Sequence, residues 1–145
     1  MDMLKGKNII TSGGLLQNTS DYLKDTKILI FFFSASWVRT DDLVKNLKNL
    51  YEENQNRNAG MEIIYVSSDT DEKAFTRDFS EQGPWCAVPF KSNTSDELRW
   101  KFNITCLPQV IVVKTDGTMI SRKGKGELEK LGVNVIVTWT DYVQR

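Results

Sequence analysis

The amino-acid sequence predicts an α/β fold in which a β-sheet carries helices on both of its faces. Two segments, Ile28 to Ser34 and Met61 to Ser68, are largely apolar and rich in residues that favour strands. An amphipathic segment from Asp41 to Asn54 lies between them, as expected where a helix joins two parallel strands. Strand and helix patterns continue to alternate along the chain, and a hairpin pattern follows near its end.

The first of these strands, Ile28 to Ser34, reads ILIFFFS. A run without alternating polar residues is typical of a strand that is covered on both faces, so we expect it at the centre of the sheet. The helix from Asp41 to Asn54 is predicted because leucines and other apolar residues recur at helical spacing. Lysine, asparagine and glutamate fill the opposite face of that helix.

The second buried strand, Met61 to Ser68, leads into the sequence Asp69-Thr70-Asp71-Glu72. This sequence predicts a helix cap, because an acidic side chain can accept the first free backbone N–H groups and a glutamate follows three residues later. We assign both Asp69 and Asp71 to that capping role. The helix that follows contains Phe75 and Phe79, which lie one turn apart.

The next segment, Trp85 to Phe90, is a short apolar run that contains Pro89. Proline cannot donate a hydrogen bond to a neighbouring strand, so this pattern predicts an edge strand or an extended connection. Thr94 to Glu97 forms a second capping signature, and the spacing of Leu98 and Phe102 gives the short helix behind it an apolar face.

A hairpin is predicted from Gln109 to Arg122, with its turn at Thr115-Asp116-Gly117. Gly124-Lys125-Gly126 lacks the serine or threonine of a phosphate-binding loop, and we interpret it as a turn. Arg122, Lys123 and Lys125 are interpreted as a solvated basic face. The apolar spacing from Val133 to Val143 predicts a closing helix, although several of its residues are β-branched.

Length and composition predict one domain, residues 1–145, and exclude several functional classes. The chain has 145 residues, of which 40% are hydrophobic and 26% are charged. Nineteen basic residues balance nineteen acidic ones, so we expect no nucleic-acid partner and no anionic membrane partner. The absence of histidine excludes every mechanism that needs an imidazole as base or metal ligand. Two cysteines are too few for a zinc cluster, and we expect no metal and no cofactor.

The expected location is the cytoplasm, and a nuclear location is left open. The longest apolar run, Ile28 to Phe33, is much shorter than the ~20 residues of a membrane-spanning helix. The start of the chain, MDMLKGKNII, lacks the apolar stretch and the cleavage site of a secretory signal.

Five blocks of the sequence resemble the nucleoredoxin-like proteins, in the tryparedoxin branch of the thioredoxin superfamily. The blocks are FFFSASW (Phe31 to Trp37), EIIYVSSD (Glu62 to Asp69), PWCAVPF (Pro84 to Phe90), FNITCLPQVIVV (Phe102 to Val113) and TDGTMISRKGKGELEKLG (Thr115 to Gly132). The stretch through Trp139 is similar to the group that includes the rod-derived cone viability factors. This resemblance implies a thioredoxin-like three-layer sandwich, with a central mixed sheet and an N-terminal β-hairpin near Lys5 to Ile10.

The resemblance fails where the family carries out its chemistry. Active members read W-C-x-x-C after the central strand, whereas this chain reads Trp37-Val38-Arg39-Thr40-Asp41. Val38 falls at the first cysteine, and the second corresponds to Thr40, to Asp41 or to a deleted residue. The catalytic dithiol is therefore missing, and no catalytic residue is assigned.

Without the dithiol, the family's site is still a surface suited to an extended peptide. The resemblance implies a cis bond between Leu107 and Pro108, opposite the start of the helix that follows the central strand. We expect Trp37 to be an exposed aromatic anchor, Arg39 to supply charge, and Leu107 and Pro108 to form a wall. These four residues are the candidate peptide groove.

Cys106 and Cys86 are the candidate redox thiols. Cys106 lies two residues before Pro108, close to the family's active site, but its neighbours provide no cation to stabilise a thiolate. We therefore favour a buried structural role for Cys106, and more strongly for Cys86. A disulfide between them is left open.

Two functions follow from these expectations. The first is a protein-binding or regulatory module that has lost its redox chemistry. The alternative is a weak monothiol thiol-disulfide oxidoreductase that uses Cys106. The residues favour the non-enzymatic function, and the sequence does not identify the partner or the oligomeric state.

Overall fold

The computed structural model describes residues 4–144, so the predicted domain, residues 1–145, extends at both ends beyond the described residues. Within that range the chain forms seven strands, six α-helices and one 3₁₀ turn. They are β1 (Asn8–Ile10), β2 (Leu16–Asn18), α1 (Thr19–Tyr22), β3 (Ile28–Ser34), α2 (Asp41–Arg57), β4 (Met61–Ser67), α3 (Glu72–Ser80), β5 (Cys86–Ala87), α4 (Asn93–Lys101), β6 (Gln109–Lys114), β7 (Met119–Ser121), α5 (Gly124–Leu131), the 3₁₀ turn (Gly132–Asn134) and α6 (Val135–Gln144).

All seven strands belong to one mixed sheet in the order β2-β1-β5-β4-β3-β6-β7. β3 pairs in parallel with β4 and antiparallel with β6, which places it inside the sheet as predicted from its continuous apolar run. The predicted N-terminal hairpin is confirmed as β1 and β2, which pair antiparallel.

Helices cover both faces of the sheet, as predicted. Successive side chains of β3 alternate between the faces: Phe32 joins one buried cluster and Phe31 joins the other. The first cluster contains side chains of α2, α3, α5 and α6. The second cluster contains side chains of α4 and of the N-terminal segment. This arrangement confirms the three-layer sandwich.

The position of β5 differs from the prediction. Trp85 to Phe90 forms only the two-residue strand Cys86–Ala87, which pairs with β4 on one side and with β1 on the other. The strand is therefore interior and not an edge, because the β1–β2 hairpin joins it through the single residue pair Ile10 and Ala87.

The interpretation of Gly124-Lys125-Gly126 as a turn is wrong, because these residues form the first turn of α5. Gly124 lies directly against β6. A Cβ atom at this position would stand 2.7 Å from Cγ1 and 2.8 Å from the carbonyl oxygen of Val110. The glycine is required for this close approach of a helix to the sheet.

None of the helices between residues 4 and 144 has both the length and the apolar composition needed to cross a bilayer.

Candidate functional site

The loop between β3 and α2 occupies the position where the family resemblance placed the catalytic site. It turns sharply, because the backbone N–H of Val38 donates to the carbonyl oxygen of Ala35 over 3.1 Å. Trp37 lies in this turn with 64% of its surface exposed. It is therefore exposed, as expected for an aromatic anchor.

Asp69 fixes this loop from the end of β4. The backbone N–H of Ser36 donates to both Asp69 carboxylate oxygens at 3.1 Å, and the Ser36 hydroxyl donates to Oδ1. The hydroxyl of Ser67 donates to Oδ2 over 2.6 Å. Asp71, not Asp69, caps α3, because its carboxylate accepts from the backbone N–H of Ala74. The capping role assigned to Asp69 is therefore wrong.

The first turn of α2 carries two carboxylates and contains no cysteine. Thr40 stands at the N-cap without a capping hydrogen bond from its side chain, and Asp41 and Asp42 follow. Carboxylates at this end of a helix interact favourably with the helix dipole. Arg39 Nε lies 3.7 Å from Asp41 Oδ2, but both side chains are almost fully exposed, so this ion pair is weak.

The loop before β6 faces the same region and holds the bond between Leu107 and Pro108, which is cis. Leu107 is half-buried and packs against the second buried cluster, so it belongs to the edge of the core. Pro108 is half-buried as well and lines an open groove.

The two cysteines occupy different environments, and both are free thiols. Cys86 is completely buried in β5, as predicted, and its thiol donates to the carbonyl oxygen of Ile63. The buried role that we favoured for Cys106 is wrong, because Cys106 is exposed. The apolar neighbours Ile104 and Leu107 take the inward positions in this loop. The Cys106 sulfur accepts a hydrogen bond from Gln109 Nε2 at 3.2 Å.

A groove of about 370 Å³ runs between the start of α2, Pro108 and α5. It is lined by Arg39, Thr40, Asp41, Asp42, Leu43, Pro108, Lys125 and Glu129, which we call the interface groove. The structure thus brings Arg39 and Pro108 together, as expected. Trp37 and Leu107 lie outside the lining. Leu107 directly precedes Pro108, and Trp37 stands two residues before Arg39.

Sequence reasoning missed the wall formed by α5. Lys125 and Glu129 lie one helical turn apart, and their charged groups form an ion pair of 2.6 Å. Glu127 anchors the same helix, because its carboxylate accepts from the hydroxyl of Ser121 and from Nε1 of Trp139. The i, i+4 spacing of Lys125 and Glu129 is compatible with a helix, but the two glycines beside Lys125 disfavour one.

The interface groove carries charges of both signs. Two cations, Arg39 and Lys125, face three carboxylates within one open surface. No group of three or more cysteine, aspartate or glutamate side chains in the described range is arranged to hold a metal ion.

A second cluster of titratable groups lies near the other end of β4. Burial raises the pKa of Glu62 to about 7, although it accepts hydrogen bonds from the backbone N–H of Ile63 and from the hydroxyl of Tyr51. Burial, and then the charge of Glu62, raises the pKa values of Tyr22, Tyr51 and the Cys86 thiol. β4 begins at Met61, so this cluster lies far from the interface groove.

Comparisons with known proteins agree with the fold. A family model described as thioredoxin-like matches residues 25–119. The chain is 36% identical over 107 residues to a probable nucleoredoxin 3 of Arabidopsis thaliana. The matched region covers 73% of this chain but only 27% of that relative. The chain therefore spans about a quarter of the length of that curated relative.

Two solved structures extend the similarity to nearly the whole chain. Thioredoxin related protein 16 of Carcinoscorpius rotundicauda, described with a role in regulating transcription factor NF-kB activity, is 32% identical with a TM-score of 0.80. That match covers 97% of this chain and 99% of the other. Native tryparedoxin I of Crithidia fasciculata is 26% identical with a TM-score of 0.76, and 90% of each chain is covered.

Proposed function

The chain belongs to the thioredoxin-like family, in the branch of the nucleoredoxins and tryparedoxins, and on this premise we propose that it binds an extended segment of a partner protein without dithiol–disulfide exchange. One observation carries the proposal. The loop after β3 and the first turn of α2 contain no sulfur, while the groove beside them is open.

The residues in that loop cannot replace a catalytic dithiol. Disulfide exchange begins with attack by a thiolate, and Val38 offers no nucleophile. The hydroxyl of Thr40 is not ionised near neutral pH and would need a base, which the histidine-free sequence does not provide as an imidazole. Asp41 would repel a neighbouring thiolate.

The shape and chemistry of the interface groove suit a peptide. Small-molecule pockets are mostly apolar, with a few polar groups. This groove instead combines apolar contact at Leu43 and Pro108 with charges of both signs along its walls. Trp37, in the same loop as Arg39, adds an exposed aromatic side chain. An extended segment with charged and apolar side chains matches such a surface.

The similarity to thioredoxin related protein 16 supports a regulatory role. That protein is described as acting on transcription factor activity, and the two chains match over almost their full lengths. We propose that this chain has a regulatory role as well and that it acts by protein contact, with the identity of its partner left open.

The exposed thiol of Cys106 favours a second candidate function, a monothiol oxidoreductase. In this reaction the Cys106 thiolate attacks a substrate disulfide, forms a mixed disulfide and releases one substrate thiolate. Since Cys86 is buried, an external low-molecular-weight thiol would then attack the substrate sulfur of the mixed disulfide. This attack releases the Cys106 thiolate and leaves the external thiol in a disulfide with the substrate.

Peptide binding can be tested without knowledge of the partner. Cysteine-free peptides selected from a displayed random library are titrated into isotope-labelled protein. We expect them to shift the amide signals of Arg39 and Lys125 and the indole signal of Trp37. Lys125→Glu should weaken binding about tenfold, whereas the control Lys101→Glu, on the exposed surface of α4, should not.

The same measurements can contradict peptide binding at the interface groove. Selected peptides that shift only signals outside the interface groove would overturn the proposed site. In an insulin reduction assay with dithiothreitol we expect no turnover above the rate without protein. Turnover that Cys106→Ser abolishes would support the second candidate in place of the first.

A further inference from the structure

A second cleft lies at the opposite end of β3 from the interface groove, between the start of that strand, the end of α2 and α6. Its volume is about 300 Å³, and its lining consists of Lys27, Ile28, Arg57, Ala59, Ile136, Thr140 and Val143. We call it the α6 cleft. We propose that the α6 cleft binds an unbranched aliphatic carboxylate, with the chain on its apolar floor and the carboxylate between Lys27 and Arg57.

The floor of the α6 cleft is aliphatic. Ile28 and Ile136 are 1% and 4% exposed, and the partly buried Ala59 and Val143 pack against the same core cluster. An alkyl chain placed here would remove the remaining exposed apolar surface of Ala59 and Val143 from water, at roughly 25 cal/mol for each Å² buried.

The floor has no free backbone or hydroxyl donor that could pair with a peptide. The backbone N–H groups of Lys27 and Ile28 both donate to the carbonyl oxygen of Gly60, at 2.7 Å and 3.1 Å. The Thr140 hydroxyl donates to the Ile136 carbonyl oxygen within α6 at 2.6 Å. An apolar chain needs no such partners, whereas a peptide backbone does.

Two cations stand at the cleft and only one is neutralised. Arg57 Nε lies 2.7 Å from Glu53 Oε1. Lys27 has no ion-pair partner among residues 4–144. A ligand carboxylate could accept from the Lys27 ammonium and from the remaining guanidinium N–H groups of Arg57. The excess of positive charge selects an anionic over a cationic head group.

The volume limits the length of the ligand. Ligand pockets span about 300 to 1,000 Å³, so the α6 cleft lies at the small end of that range. It is suited to a single short chain, such as octanoate, and not to a membrane lipid with two long chains.

The test is a titration of octanoate into the isotope-labelled full chain at neutral pH, below the concentration at which octanoate aggregates. We expect saturable one-site shifts at Lys27, Arg57 and Val143. Octylammonium, which has the same chain and the opposite charge, should bind at least about tenfold more weakly.

Variants locate the site. Lys27→Ala and Arg57→Ala should each weaken octanoate binding about tenfold, whereas Lys24→Ala removes a nearby exposed charge outside the lining and should leave it unchanged. Thr140→Phe should fill the cleft and abolish binding, with the thermal unfolding curve used to check that the fold is retained.

Three results would overturn the proposal: equal binding of octylammonium, binding that survives Lys27→Ala and Arg57→Ala unchanged, or no saturable binding to the wild-type chain. The protein variant of the peptide-binding test, Lys125→Glu, should bind octanoate normally. Loss of octanoate binding at the α6 cleft and loss of peptide binding at the interface groove are therefore distinguishable.

Discussion

Asp69 accepts hydrogen bonds from both the backbone N–H and the hydroxyl of Ser36, and so ties the end of β4 to the loop that carries Trp37. The Asp69 side chain is 6% exposed, and both of its oxygens are occupied by donors. A buried carboxylate is tolerated here because its hydrogen bonds offset the loss of water.

Removal of this carboxylate should destabilise the fold and loosen the loop. Asp69→Ala leaves the Ser36 N–H and the Ser67 hydroxyl without their acceptor, so we expect a loss of about 3 kcal/mol in urea unfolding. The indole signal of Trp37 should also shift and become more mobile. Asp71→Ala is the matched control: it removes only a helix cap, costs about 1 kcal/mol and leaves Trp37 unchanged. Equal effects of the two variants would contradict this role of Asp69.

The buried carboxyl of Glu62 should make stability depend on pH. Its pKa is about 7 in the folded chain, against an ordinary value of 4.5, so the folded state binds more protons between these values. The free energy of unfolding should therefore fall as pH rises from about 4.5 to about 7, by at most about 3 kcal/mol. The groups that face Glu62 are Tyr22 of α1, Tyr51 of α2 and Cys86 of β5.

Glu62→Gln should flatten this part of the pH profile and stabilise the chain at pH 8, because glutamine stays neutral in the same space. The measurement is urea unfolding at a series of pH values. Glu52→Gln, on the exposed surface of α2, should retain the wild-type slope. A wild-type slope in Glu62→Gln would show that another group is responsible.

The two thiols should differ in reactivity. Cys106 is exposed, whereas Cys86 is fully buried and burial raises the pKa of its thiol. A colorimetric thiol reagent should therefore modify one thiol in the folded chain and two in denaturant. Cys106→Ser should abolish the native reaction and leave one thiol in denaturant. A second reactive thiol in the folded wild type would show that β5 opens readily.

The strands and helices that flank the core could be predicted because their signals are local. The uninterrupted apolar run of β3 and the apolar spacing of α2 each indicate burial without knowledge of a partner element. Both begin at the predicted residues, Ile28 and Asp41, and α2 extends three residues beyond its predicted end at Asn54. That extension is stabilised by contacts that the spacing does not encode, including the hydrogen bond between Asn54 Nδ2 and the Met61 carbonyl oxygen.

α5 could not be predicted because its stability comes from tertiary contacts. Its first turn contains two glycines, which disfavour helix, and Lys123 at its N-cap makes no capping hydrogen bond. Contacts of Glu127 with Ser121 and Trp139 hold the helix in place. Because this helix was not predicted, Lys125 and Glu129 were not included in the predicted groove. Cys106 was misjudged for a related reason, since apolar neighbours do not reveal which side chain of a loop points outward.

The contact between Gly124 and Val110 sets how closely α5 lies to the sheet, and thereby the position of the groove wall that carries Lys125 and Glu129. Only a hydrogen atom fits between the helix and the strand there, so a methyl group at Gly124 would push α5 away from β6. A smaller side chain at Val110 would relieve only part of this contact, because the Val110 carbonyl oxygen stands 2.8 Å from the position of the added carbon. The width of the interface groove therefore depends on a contact in the interior as well as on the residues at its surface.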